Sequence, residues 1–226
     1  MHDLPPTGTV LGGRFRLDAL LARGGVGVVF RSTDVEIGRQ VAVKLLPDAL
    51  DQGSKRERFL REARLAATVG HPHVVKIYDA GFYEDARPFL VMELLDGATL
   101  HQRIQDVGPL NMADASSMAS QLCSAAAAVH EAQIVHRDMK PANVFLLRAL
   151  GVTVKLIDFG MSRSLEEKPI TAPGKVIGTP SYMAPEQLLG KPIDPRCDVY
   201  GVGCTLWEAL TGLPYIKVRK RVGDTL

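Results

Sequence analysis

The chain has 226 residues, 46% of them hydrophobic, and a formal net charge of +2. That length fits one domain or two small lobes sharing a cleft, with apolar material enough for a sizeable core. So small a charge excludes the electrostatic footprint of a nucleic-acid binder.

Residues 14–21, 28–33 and 40–46 are β-rich runs separated by Gly-containing turns, and they predict three antiparallel strands. Residues 55–68 are charged and rich in Ala and Leu, which predicts a helix. Residues 74–79 and 89–93 predict two more strands, giving a five-stranded sheet with one helix. Asp96-Gly97 breaks the pattern and marks the crossing into a second, mainly helical part. There Met118, Ala119, Leu122, Ala125, Ala126 and Val129 recur at the spacing of one helix face, and Asn111 is placed to cap that helix. Residues 198–213 are apolar on every face, with Glu208 the only charge after Asp198, so that helix is expected to be covered all round. The end is basic: Lys217, Arg219, Lys220 and Arg221 against Asp224 give +3, which leaves about −1 for the rest and reads as a solvated tail. Cys123, Cys197 and Cys204 lack metal-ligand spacing and read as reduced thiols of a cytoplasmic protein. No leader-like segment opens the chain, and no run of about 18 apolar residues predicts a membrane span.

The chemistry concentrates in residues 136–143, His-Arg-Asp-Met-Lys-Pro-Ala-Asn, followed by Asp158-Phe159-Gly160. The pair puts two candidate Mg²⁺ ligands, Asn143 and Asp158, on the two sides of a short hairpin. It also puts a carboxylate, Asp138, where a hydroxyl nucleophile could be oriented. Phosphoryl transfer needs those parts, a metal against phosphate charge and a group that positions the attacking oxygen. Upstream, residues 21–30 read Leu-Ala-Arg-Gly-Gly-Val-Gly-Val-Val-Phe between two predicted strands. Glycines there let backbone amides approach a phosphate, although a Gly-rich hairpin turn would look the same. Lys44 ends a Val-Ala-Val-Lys run, and a lysine in a core strand is unusual unless paired.

These motifs, with Gly-Thr-Pro-Ser-Tyr-Met-Ala-Pro-Glu at 178–186, resemble the eukaryotic-like (Hanks-type) protein kinases. In detail they look like the bacterial serine/threonine branch, over residues 10–215. The resemblance implies an α+β, bilobal protein-kinase-like fold, with an N-lobe over 1–95 and a C-lobe over 96–226. It implies an enzyme using ATP and Mg²⁺ to phosphorylate Ser/Thr hydroxyls of protein substrates. Asp138 becomes the catalytic carboxylate, Lys140 the contact to the γ-phosphate and Thr179 a bridge between them, with Asn143 and Asp158 as the metal ligands. In the Gly-rich loop pattern the second and third glycines fall on Gly24 and Gly27 and the valine on Val29, next to Leu21. Ala22 departs from the first glycine. Lys44 is implied to hold the α- and β-phosphates and to pair with Glu62, for which Glu57 is the competitor nearer the helix start. Val29 and Ala42 would press on one adenine face and Phe145 on the other. Met92 is implied as gatekeeper, and the backbone of Glu93 and Leu95 would hydrogen-bond adenine. His136 is implied to be structural, packing under Phe159. Asp198 reads either as the anchor of the catalytic loop or as a simple helix cap. Arg137 before Asp138 makes control by autophosphorylation plausible, with Ser162, Ser164 and Thr171 as acceptors and Thr171 preferred.

In the family about three more helices follow the apolar helix, and the resemblance here stops near Tyr215. The C-lobe is therefore expected to be incomplete after about 215, Glu186 to lack its family partner, the 198–213 helix to be covered only in part and to expose an apolar patch around Trp207, and the chain to self-associate or turn over poorly. A fragment, a truncated reading frame and a partner-dependent subunit remain open, as does a nucleotide-binding scaffold with little turnover. A small-molecule kinase is the other rival, and Ala184-Pro185-Glu186 argues against it.

Overall fold

A computed structural model describes residues 4–24, 27–47, 53–84, 87–149, 151–158 and 180–216. The described residues form two compact units, one up to Asp96 and one from Gly97 onward.

The first unit is an antiparallel sheet with one helix. Its strands are β1 (Val10–Leu11), β2 (Phe15–Gly24), β3 (Gly27–Asp34), β4 (Arg39–Leu45), β5 (Ile77–Tyr83) and β6 (Arg87–Glu93), in the order β1-β2-β3-β4-β6-β5. Alternation puts Leu17, Val28, Phe30, Val41, Val43, Leu45 and Val91 into one core cluster with Leu11, Phe15 and Phe89. Strand β4 is buried on both faces, so Ala42 and Lys44 are also shielded from water. Helix α1 (Gly53–Ala67) turns Phe59, Ala63 and Ala66 inward, with the Phe59 ring 5.6 Å from that of Phe82 on β5. Arg14 grips the buried carboxylate of Asp34 with two hydrogen bonds of 3.0 and 2.7 Å, closing the β2–β3 corner.

Two sequence expectations change here. The sheet has six strands, because Val10 and Leu11 pair with Arg16 and Phe15. Two residues are too few for a periodic signal. The strand expected at 74–79 runs instead from Ile77 to Tyr83. Val74 and Val75 are buried, but Val74 makes only an isolated bridge and its N–H closes a turn onto His71 C=O, so neither belongs to the strand.

The second unit opens with β7 (Gly97–Thr99) and α2 (Leu100–Val107), capped by Thr99 and Gln102 in a reciprocal box. Helix α3 (Met112–Glu131) begins at Asn111, whose side chain accepts from Asp114 N–H, and buries Ala115, Met118, Leu122, Ala125, Ala126 and Val129. Strands β8 (Val144–Leu147) and β9 (Val154–Leu156) form a hairpin beside β7. Gln121 of α3 pins that hairpin by donating to Val152 C=O and accepting from Val154 N–H. The short helix α4 (Pro185–Leu188) and α5 (Arg196–Thr211) complete the unit. Helix α5 is covered unevenly, and Trp207 is exposed as expected. Val202, Cys204, Thr205 and Ala209 are buried, while Val199 is 66% and Trp207 48% exposed. The Trp207 ring lies edge-on to that of Tyr215, 5.5 Å between centroids.

Candidate active site

Asp138, Lys140 and Asn143 come together within one turn of chain. Lys140 Nζ lies 2.6 Å from Asp138 Oδ2, and Asn143 Nδ2 donates to the same oxygen at 3.0 Å and to Asp138 C=O at 2.8 Å. The 3₁₀ turn Pro141–Asn143 makes this possible, since Asn143 N–H donates to Lys140 C=O and folds the amide back over Asp138. Asp138 keeps 21% and Lys140 15% of the side chain accessible. The carboxylate is therefore oriented by two donors yet still reachable.

The loop before Asp138 is held from a distance. Asp198, 1% exposed at the start of α5, accepts His136 N–H at 2.8 Å through Oδ2 and Arg137 N–H at 2.7 Å through Oδ1. His130 Nε2 lies 2.8 Å from Oδ2 as well. Of the two readings of Asp198, the loop anchor is the one observed. The same carboxylate and burial push the Cys197 thiol up to about 12, burial being the larger cause. His136 is fully buried and structural: Asp138 N–H donates to its Nδ1 at 3.3 Å, so the ring proton sits on Nε2, 3.1 Å from Ile157 C=O. Gly201 of α5 faces Met139, where an added Cβ would lie 2.6 Å from Met139 Cβ. Only glycine lets the helix approach the loop so closely.

Asn143 and Asp158 flank the β8–β9 hairpin, and Ile157 N–H donates to Asn143 C=O at 2.9 Å, which ties the two ends together. Asn143 spends its amide nitrogen on Asp138, so its Oδ1 is the atom left for a cation. An amide oxygen and a carboxylate are hard ligands that suit Mg²⁺, with phosphate oxygens and water completing the shell. Among the described residues no cluster of three or more His, Cys, Asp or Glu competes for a metal.

Several residues expected to contact nucleotide lie on one face of the first unit's sheet. Ala22 pairs with Val29, Val29 with Lys44, Lys44 with Leu90 and Ala42 with Met92, and directly opposed residues share a face. Lys44 is 5% exposed. Gly24 pairs with Gly27 across the two-residue tip, while Leu21 is skipped by an irregularity and is half-exposed. Gly27 has a second reason to be glycine: at φ +120° an added Cβ would sit 2.2 Å from Leu45 C=O. Glu62 lies on α1, half-buried beside Ala63. Glu93 engages Lys76 twice, its carboxylate taking Lys76 N–H at 2.7 Å and its own N–H donating to Lys76 C=O. Leu95 follows outside any helix or strand, half-buried. Phe145 belongs to the second unit, on β8 opposite Thr99 and Lys155. Thr179, Phe159, Gly160, Ser162, Ser164 and Thr171 lie outside the described residues.

Sequence reasoning missed two supports. Tyr182 donates its hydroxyl to the buried Glu208 carboxylate, and burial with that contact raises the Tyr182 pKa above the usual phenol range. Gln187, 3% exposed, donates to Arg137 C=O and accepts Ala184 N–H, each at 2.9 Å. Glu208 carried a signal as the lone late charge of an apolar helix, whereas Gln187 carried none.

An oriented, reachable carboxylate thus lies beside a hairpin flanked by Asn143 and Asp158, on an α+β frame. The chain belongs to the protein kinase domain family, whose pattern it matches over residues 15–224. It is 41% identical over 211 residues to a probable serine/threonine-protein kinase of Corynebacterium efficiens, covering 91% of this chain and 32% of that protein. It is 39% identical over 213 residues to the serine/threonine-protein kinase PknA of Mycobacterium tuberculosis, covering 92% and 49%. The chain thus spans between a third and a half of these relatives. The solved PknI kinase domain of M. tuberculosis superposes with a TM-score of 0.77 at 24% identity, covering 94% of this chain and 80% of that one, a likeness of fold. No described helix is long and apolar enough to cross a membrane.

Proposed function

We propose that this chain is a protein serine/threonine kinase that moves the γ-phosphoryl group of ATP to Ser or Thr hydroxyls of proteins. The observation that carries the reading is the double grip on Asp138 Oδ2 by Lys140 and Asn143, in a loop anchored by Asp198. Asp138 orients the substrate hydroxyl and takes its proton as the new O–P bond forms and the β–γ bridging O–P bond breaks, releasing ADP. Lys140 is placed beside Asp138 to meet the phosphoryl oxygens, with Thr179 as its companion. Asn143 Oδ1 and Asp158 would hold Mg²⁺, which supplies charge neutralisation of the phosphates when bound. Lys44 meets the α- and β-phosphates with Glu62 as its partner, below Gly24 and Gly27. Leu21, Ala22, Val29, Ala42, Met92 and Phe145 line the adenine site, and the Glu93 and Leu95 backbones bond its edge. These roles divide the chain into a nucleotide-holding lobe, 1–95, and a transfer lobe, 96–226. Free thiols at Cys123, Cys197 and Cys204 support a reducing, cytoplasmic setting. Autophosphorylation would concentrate between Ser162 and Thr171, with Arg137 receiving the phosphate.

The test is transfer of labelled γ-phosphate from ATP with Mg²⁺ to a generic protein acceptor. Wild type should transfer, while Asp138→Asn should bind nucleotide equally well and transfer nothing measurable. Equal transfer by both proteins would overturn the assignment.

A further inference from the structure

Arg137 sits at φ +66°, the left-handed region that side chains other than glycine rarely occupy. Such a conformation persists only where the surroundings over-determine it. Its N–H is held by Asp198 Oδ1 at 2.7 Å. Its C=O is held by Gln187 Nε2 at 2.9 Å. The orientation of the Gln187 amide is fixed by chemistry: Oε1 faces a donor, Ala184 N–H, and Nε2 faces an acceptor, Arg137 C=O. The side chain is 3% exposed, so water does not compete for either bond.

We propose that Gln187 is a positioning residue for phosphoryl transfer, acting on Asp138 through the Arg137 peptide. This rests on Asp138 being the catalytic carboxylate. The Arg137 C=O and the Asp138 N–H belong to one planar peptide, so holding the carbonyl fixes the plane from which the Asp138 side chain departs. Asp198 holds the peptide before Arg137, and the plane after it is held on its N–H side by His136 Nδ1 at the longer distance of 3.3 Å. Gln187 adds the shorter, 2.9 Å hold on its C=O side from the segment 183–188, which couples the catalytic loop to the peptide-docking segment. Loss of Gln187 should slow transfer and leave nucleotide affinity alone, because the group it restrains acts on the hydroxyl.

The test uses the whole chain with Gln187→Met, near in shape but without either bond, and Gln187→Glu. The Glu variant keeps an acceptor for Ala184 N–H and regains a donor to Arg137 C=O only when protonated. Four readings are taken: melting temperature, KM for ATP, kcat, and amide exchange at Arg137 and Asp138. Q187M should fold, hold KM for ATP within about twofold, lose about ten- to a hundredfold in kcat, and exchange both amides faster. The ratio of Q187E to wild-type kcat should rise as pH falls from about 8 to about 6; the ratio cancels titration of Asp138 itself. A purely structural Gln187 predicts flat ratios. Wild-type kcat and wild-type exchange in folded variants would overturn the proposal, as would failure of both variants to fold. If wild type transfers nothing, the kinase reading fails, and amide exchange alone still decides whether Gln187 holds the loop.

Discussion

Replacing Asp198 by Asn keeps the shape of the side chain and removes one acceptor. In the protein, Oδ1 takes Arg137 N–H while Oδ2 takes His136 N–H and faces His130 Nε2. Asn has one acceptor oxygen. With that oxygen toward Arg137, its NH₂ confronts His136 and His130; turned round, it confronts Arg137. At least one buried N–H therefore faces a donor. A hydrogen bond to a charged group contributes about 1.5–3 kcal/mol, and an orphaned buried donor costs a similar amount. The local loss should be roughly 2–4 kcal/mol. Because the chain forms two units, a global melt is a blunt probe, and amide exchange at His136 and Arg137 is the direct one. At about 1.4 kcal/mol per factor of ten, exchange should accelerate by roughly thirty- to a thousandfold. Transfer should fall with it, since Asp138 follows Arg137 directly. A folded Asp198→Asn protein whose His136 and Arg137 amides exchange like wild type would refute the anchoring argument.

Three further outcomes are expected. Asp158→Ala should weaken nucleotide binding with Mg²⁺ far more than without it, as read by titration in both conditions; equal weakening would remove the metal role. Gly201→Ala forces a Cβ to 2.6 Å from Met139 Cβ, an overpacking cost of about 1–3 kcal/mol; an unchanged melting temperature and unchanged transfer would show that the helix simply yields. Tyr182→Phe leaves the buried Glu208 carboxylate without its phenol donor, at a cost of about 1–3 kcal/mol, and Tyr182→Phe with Glu208→Gln should recover part of the loss in a double-mutant cycle.

The parts legible in the sequence were those with a local signature. The run 136–143 and Asp158 could be read as one site because the hairpin between them is short and the ligands bracket it. The Asn111 cap and the α3 face followed from spacing alone. The grouping of Val29 and Ala42 came from the resemblance, and the observed register supports it by pairing Val29 with Lys44, two residues on from Ala42. What escaped had no such signature. Strand β1 has two residues, and its pairing depends on where β2 happens to pass. The shift of β5 from 74–79 to 77–83 arose because Val74 and Val75 are buried just after a turn, with no more than an isolated bridge at Val74, before the strand begins. Gln187 binds a carbonyl 50 positions away, and a polar residue in a four-residue helix looks like any solvent-facing glutamine. The exposure of Trp207 was expected, because the helix needs more cover than the upstream segments supply; that Val202 and Ala209 are the residues they do bury was not legible, since an all-apolar helix names no segment to cover it.

The hydrogen bonds from His136 and Arg137 to Asp198 span 62 and 61 positions. During synthesis, residues 136–143 therefore leave the ribosome well before the carboxylate that shapes them has been made. At elongation rates of about 5–20 residues per second, the interval is several seconds. Through that time Arg137 has no Asp198 to hold it in its left-handed turn, and Asp138 is not yet aimed. The order of translation itself keeps the nascent chain from acting before its helices are in place.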